Sequence, residues 1–365
     1  SPIAGRLSDK YDKEKIIRFT KILEIMIMIL GCIGFYTSSN ALLFAALFLL
    51  GTQATFFGPV KYSILPQMLR DDELMAGNAL VELGTFLSIL LGTLMGGIIA
   101  AKGDLTLISW SVMAFAVGGW LISLFIPKAA ASDPNLAVSF NFMGDMKELV
   151  NISRQREGIF NAVMGISWFW YFGATILAQI PSYSKHFLKS DDPMTTTVLM
   201  AVFSVSVGIG SLIAEKLSRG EIELGLVPIG ALGLSLFCGD LYFVNPASDV
   251  MALINWPEIG LQNIQIPYRV LVDLGLVGAT GSLFIVPLYA YVQFRSQEKT
   301  RSRLIAANNV FNAIFMVASA VATAGFYKAG LSTAEILLVT AIMNFVVCAW
   351  IIGLIPEFLM RFVIW

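Results

Sequence analysis

Apolar residues run through this chain in long blocks, separated by short polar clusters, from Ile16 to Ile355. Ten blocks are long enough to cross a bilayer, which takes roughly 20 residues. They cover 16–36, 41–64, 76–100, 105–126, 159–181, 196–215, 224–245, 267–293, 303–327 and 333–355. Many contain glycine, and none keeps the strict apolar/polar alternation of a barrel strand, so the pattern predicts an all-α polytopic membrane protein. Most polar clusters between the blocks read as short loops. The longest, "IPKAAASDPNLAVSFNFMGDMKELVNISRQREG" from Ile126, is the exception, and Phe140 to Ser153 within it has the pattern of an amphipathic surface helix.

Composition sharpens this picture. Of the 365 residues, 57% are hydrophobic and 13% charged, against about 25% charged in soluble domains. Lysine and arginine can be assigned to alternate sides of the ten blocks. Nineteen fall on one side, and only Lys102, Lys185, Lys189, Arg269 and Lys328 on the other, which accounts for all 24. The rich side is therefore cytoplasmic. The same split supports the number of blocks, because one missed or invented helix would scramble the alternation.

Cys32, Cys238 and Cys348 all lie within apolar blocks, which indicates neither a disulfide framework nor a metal cluster. The chain also lacks a glycine-rich phosphate loop after a strand and a basic nucleic-acid face, so no cofactor or nucleic-acid partner is expected. It opens at "SPIAGRL" and stops in "EFLMRFVIW", and is expected to be cut at both ends from a longer protein.

The loop "GRLSDKYDKEK", Gly5 to Lys15, has a glycine at its turn, an acid at a helix end and a cluster of bases. It resembles the G-x-L-x-D-x-x-x-x-K loop joining the second and third helices of the major facilitator superfamily. Gly5, Leu7, Asp9 and Lys13 match, while Asp12 stands where a second glycine is usual. The resemblance implies that the acid and bases lock the cytoplasmic face of a transporter. It also implies that about ten of twelve helices are present here, beginning at the end of the second. "GSLIAEKLSRG" from Gly210 is a weaker copy of the loop; Phe56 and Pro59 recur as Phe284 and Pro287, and "NALVE" at Asn78 as "NNVFN" at Asn308. The later repeats are displaced by about the length of the polar insert "NPASDVMALINWPEIGLQNIQ". Two pseudo-symmetric halves of six helices follow. Residues 1–126 form the first, 127–158 a cytoplasmic linker, and 159–365 the second with the start of a junction to a following domain.

Within the superfamily the chain is most similar to the lysophospholipid transporters, including those fused to an acyltransferase and an acyl-carrier-protein synthetase. The residues that carry this are "GPVKYSILPQ" at Gly58, "AGNALVELGTFLSILLGTLMGG" at Ala76, "IPK" at Ile126, "SWFWYFG" at Ser167 and "FIVPLYAYVQ" at Phe284. The resemblance implies inward movement of lysophosphatidylethanolamine-like lipids across the bacterial inner membrane by alternating access, for re-acylation. Membrane lipids and a fused or associated acyltransferase and synthetase are the implied partners.

Polar residues inside apolar blocks mark the candidate site, because an ionised group at that depth costs about 2.5 to 3.5 kcal/mol without partners or water. Lys61, Asn78 and Glu82 fall near the cytoplasmic ends of their helices, as do their second-half counterparts Tyr289, Gln293, Asn308 and Asn312. Lys61 either snorkels or pairs with Glu82 in a gate or phosphate-facing site. Asn78 and Asn308 suit helix-to-helix hydrogen bonds. Gln179, with Trp168, Trp170 and Tyr171, faces either a cavity or the lipid. Glu24 is expected to find its partner on a helix preceding this chain, which leaves its role open. Asp240, Arg269 and Asp273 suit an outer gate or a solvated rim. "GTLMG", Gly92 to Gly96, reads as a close helix contact.

Three other readings compete. A proton-coupled exporter of drugs or small solutes would need Glu24 or Glu82 as its titrating acid. A non-transporting anchor for acyl-transfer enzymes would need neither paired halves nor buried polar groups. A membrane acyltransferase would rest on His186 and Asp191, whose H-x-x-x-x-D spacing falls in an outer loop with no soluble domain around it; chance accounts for so short a match.

Overall fold

The computed structural model describes residues 2–101, 103–136, 144, 147, 151, 158–190, 192–218, 221–256 and 261–354. Most of the expected surface helix at Phe140 to Ser153, and the junction after Leu354, lie outside the described residues. The chain is otherwise nearly all helix: α1 Pro2–Lys10, α2 Lys13–Tyr36, α3 Asn40–Ser63, α4 Leu74–Ala101, α5 Leu105–Ser123 and α6 Ile159–Ser182. After these come α7 Pro193–Ser218, α8 Leu226–Asp240, α9 Tyr268–Arg295, α10 Glu298–Lys328 and α11 Thr333–Leu354. A π-helical turn, Tyr183–Phe187, extends α6.

Local chemistry sets several ends. Asp104 caps α5 by accepting from the backbone N–H of Thr106 at 2.8 Å and of Leu107 at 3.2 Å. Ser332 and Glu335 form a reciprocal capping box at the start of α11, with bonds of 2.7 and 3.3 Å. The turn before it uses Gly330 at φ +88°, a left-handed conformation that suits glycine.

All ten apolar blocks fall on helices, and among the described residues eight of these helices are long and apolar enough to cross a membrane. α8 is shorter than expected, 15 residues in place of 224–245, because the chain leaves the helix at Leu241. There the Leu241 carbonyl accepts the Tyr183 hydroxyl at 2.7 Å. α2 has the length, 24 residues, but carries Lys13, Glu14, Lys15, Arg18, Lys21 and Glu24 in its first half. Large apolar side chains stand outward, among them Trp110, Phe48 and Phe125. In water such a surface would associate; in lipid it is the ordinary exterior.

The polar insert holds the surprise. Met251–Trp256 (β1) and Leu261–Pro267 (β2) pair antiparallel, from Met251 opposite Pro267 to Trp256 opposite Leu261, with an irregularity between Ile254 and Trp256. Ala252, Ile264 and Ile266 point inward while Met251 and Leu253 are exposed, the alternation of a half-buried strand.

Packing divides the chain into two compact units. One comprises Ser1–Arg70, Gly92–Phe160 and Gln293–Val310; the other Asp71–Leu91, Asn161–Val292 and Phe311–Trp365. In the first, α2 lies against α3 and α5; in the second, α8 lies against α11 and β2 against α7. Contrary to expectation, Gly92 and Gly96 make no close contact among the described residues: an added Cβ at either meets none of them within 4 Å. The tight helix approaches in this region of sequence space are made elsewhere, as at Gly210, where a Cβ would stand 2.5 Å from the backbone of Ala279.

Candidate functional site

In the first unit the Gly5–Lys15 loop meets the start of α10. Asp9 is fully buried and accepts from Arg303 Nε at 3.2 Å and from the backbone N–H of Ser302 at 3.2 Å. Arg303 also donates through Nη2 to the Lys299 carbonyl at 3.2 Å. Gly5 is what lets the two helices come this close, since a Cβ there would stand 2.7 Å from both Ala306 Cβ and Arg303 Cα. Burial pushes the Asp9 carboxyl above the ordinary aspartate range, while Ser302, Arg303 and Lys13 pull it back. Lys13, also buried, donates to Ser132 Oγ at 2.9 Å, and burial draws its ammonium below the usual lysine range. Asp12 sits at the surface between Lys15 Nζ, 2.7 Å away, and the backbone N–H of Ala131, 3.2 Å away, and both hold its carboxyl below the ordinary range. Glu14 accepts the Ala129 N–H at 2.9 Å, tying α2 to the segment after α5. The four predicted loop residues thus have separate tasks: Gly5 and Asp9 face α10, Lys13 faces Ser132, and Leu7 lines a cleft.

Glu24, whose role the sequence left open, finds partners within the chain. It takes Lys21 Nζ at 2.8 Å and Gln53 Nε2 of α3 at 3.1 Å. Gln53 also donates to the Thr20 carbonyl at 3.3 Å.

The second unit buries neutral polar groups. Gln179 Oε1 accepts the Tyr327 hydroxyl at 2.5 Å, beside Ser182 and Thr333. Asn312 Oδ1 accepts from Ser167 Oγ at 2.8 Å, and the Tyr289 hydroxyl from Trp170 Nε1 at 3.0 Å. Asn344, which sequence reasoning passed over, uses its whole amide. Its Oδ1 accepts Trp168 Nε1 at 2.9 Å, and its Nδ2 donates to the Ala231 carbonyl at 3.0 Å and Ser235 Oγ at 2.8 Å. Trp168 also stacks on Tyr171, their centroids 4.8 Å apart.

The remaining predicted residues are placed as follows. Lys61 Nζ lies over the Tyr62 ring, 4.6 Å from its centroid. Asn78 donates to the Leu74 carbonyl of its own helix at 2.8 Å. Glu82, Gln293 and Asn308 are buried. Asp240 and Arg269, predicted as part of an outer group, do meet: Arg269 Nε and Nη2 grip the carboxylate at 2.7 and 2.6 Å. Asp273 is buried one turn along α9. His186 lies in the π turn, and Asp191 lies outside the described residues. Arg303, Gln53 and Asn344 were missed because each sits in a helix where nothing in the spacing names its partner.

A sequence model described as the Major Facilitator Superfamily matches residues 1–261. The lysophospholipid transporter LplT of Citrobacter koseri is 28% identical over 299 residues, covering 82% of this chain and 68% of that protein. LplT of Escherichia coli O157:H7 is 28% identical over 303 residues, with the same two coverages. The fucose:proton symporter FucP of Escherichia coli superposes with a TM-score of 0.67 at 14% identity, over 97% of this chain and 87% of that one. A bacterial homologue of the iron transporter ferroportin in an outward-facing state gives 0.66 at 14% identity, over 96% and 86%. Identity that low speaks to fold alone. With the family match spanning most of its length and eight helices fit to cross a membrane, this chain belongs to the major facilitator superfamily and is a multi-pass inner-membrane transporter.

Proposed function

We propose that the chain carries lysophospholipids, lysophosphatidylethanolamine first among them, inward across the membrane by alternating access between halves 1–126 and 159–365, joined by 127–158. The observation that carries this reading is the likeness to two proteins named lysophospholipid transporter through 82% of the chain. The chemistry supports it. A lysolipid needs polar groups for its head and apolar surroundings for its single tail, and apolar helices with buried Gln179, Tyr289, Asn312, Gln293 and Asn308 offer both. In this reading Lys61 and Glu82 serve the inner gate or meet the phosphate, and Asn78 positions the helix of Glu82. The buried Asp9–Arg303 pair acts as a cytoplasmic latch that opens once per cycle, and Gly5 sets its closing distance. Re-acylation falls to an acyltransferase and synthetase, fused or associated.

The test is uptake of radiolabelled lysophosphatidylethanolamine by spheroplasts of a transport-deficient strain expressing the parent protein, beside Lys61→Met and Glu82→Gln at equal membrane abundance. Uptake that both variants lose is expected. A well-expressed parent that takes up none would sink the lysolipid reading. Lysolipid-driven proton movement, lost in Glu82→Gln, would favour the exporter-like coupling scheme.

A further inference from the structure

Beside the Asp12–Lys15 contact the first unit holds a cleft of 690 Å³ between α1, α2, α3 and the segment after α5. That volume is within the range of about 300–1,000 Å³ that small-molecule sites occupy. Ile16, Phe19 and Leu23, on one face of α2, line it with Phe56 of α3, and Lys10, Asp12 and Lys15 line it near the helix start. Phe19 is 67% exposed and the Lys15 side chain 71%, so the cleft opens outward with its apolar part along α2 and its charges at the helix start. The positive charges are on the cytoplasmic side by the lysine and arginine bias. From Lys15 to Leu23 the helix rises about 12 Å, which spans a glycerol backbone and the upper part of an acyl chain.

We infer that this cleft holds the head group and the upper part of one acyl chain of an anionic phospholipid of the cytoplasmic leaflet, that chain against Phe19 and Phe56 and the phosphate between Lys10 and Lys15. Charge selects the occupant. Two ammoniums and one carboxylate leave a single positive charge near the helix start, which one phosphate diester neutralises; a zwitterionic head would bring a further ammonium against two lysines. Basic recesses beside membrane helices on the cytoplasmic side recognise anionic head groups in this way. The site is separate from the transported substrate and does not depend on which substrate that is.

The test is native mass spectrometry of the purified full chain, titrated with phosphatidylglycerol or with phosphatidylethanolamine of the same acyl composition. One phosphatidylglycerol retained per chain, in preference to phosphatidylethanolamine, is expected. Lys10→Gln with Lys15→Gln should weaken retention about tenfold. Leu23→Trp, which fills the cleft and leaves both lysines, should abolish it, with unchanged elution on size exclusion showing that each variant is folded. Equal retention of the two lipids would overturn the anionic assignment, and retention indifferent to both variants would overturn the site.

Discussion

Around Asp9 the chain buries a full charge with its counter-ion Arg303, whereas around Asn344 it buries only amides, hydroxyls, a thiol and an indole. The Asp9 contact joins residues 294 apart in sequence through one ion pair and one backbone bond, across a glycine approach. The Asn344 contact saturates one amide with partners from α6 and α8. A buried ion pair broken on one side leaves an uncompensated charge, so it favours two discrete states, made or fully separated and solvated. A saturated neutral amide gains nothing by opening. The first design suits a contact that is remade in each cycle, and the second a fixed point about which something else moves.

That contrast can be broken by experiment. The largest effect is expected from Arg303→Met, which strands Asp9 and should destabilise the closed form by about 3–5 kcal/mol. Thermal melting in detergent reads this, and adding Asp9→Asn should restore most of the loss; a double variant as unstable as the single one would mean that the pair is not the origin. Gly5→Val comes next, at about 1–3 kcal/mol from overpacking against Arg303 and Ala306. Unlike the charge variant, it should not be rescued by Asp9→Asn. Asn344→Leu leaves the buried Trp168 indole without its acceptor and should cost about 1–3 kcal/mol, with lysolipid uptake following stability and no further. If Asn344→Leu instead exceeds Arg303→Met, the assignment of latch and fixed point is reversed.

The smallest effect concerns pH. Lys15 and the Ala131 N–H hold the Asp12 carboxyl below its ordinary value of 3.8. Its contribution is therefore present above that value and fades as pH falls through the lower native one. Melting followed over acid pH should show a small loss that Asp12→Asn removes; identical curves for parent and variant would dismiss the contact as a contributor.

Helices were readable because a bilayer demands long apolar blocks, whereas caps such as Asp104 and Ser332 came to light only in the structure. The β1–β2 hairpin was not, since its strands mix apolar and polar residues on both faces and its register depends on pairing across the turn. α8 stops at Asp240, where a tertiary bond from Tyr183 takes up the Leu241 carbonyl, which a count of apolar residues does not register. In the site, Gly5 and Asp9 were recognisable from their spacing, but Arg303 was not. Nothing in the loop says which distant base completes it. Gln179, Tyr289 and Asn312 stood out as polar groups in apolar helices, and so, by the same rule, should Asn344 have done. Gly92 and Gly96 show the converse: small residues at helical spacing permit a close contact without creating one.

The charges of α2 bear on how the protein is made. Lys21 and Glu24 would be costly on a lone helix entering the bilayer, and here each answers the other while Gln53 of α3 completes the set. If the pair needs Gln53 as well, α2 and α3 should partition into lipid together as a hairpin. Gln53→Leu should then slow or misorient the insertion of α2, a defect visible in glycosylation mapping of nascent chains before any transport has begun.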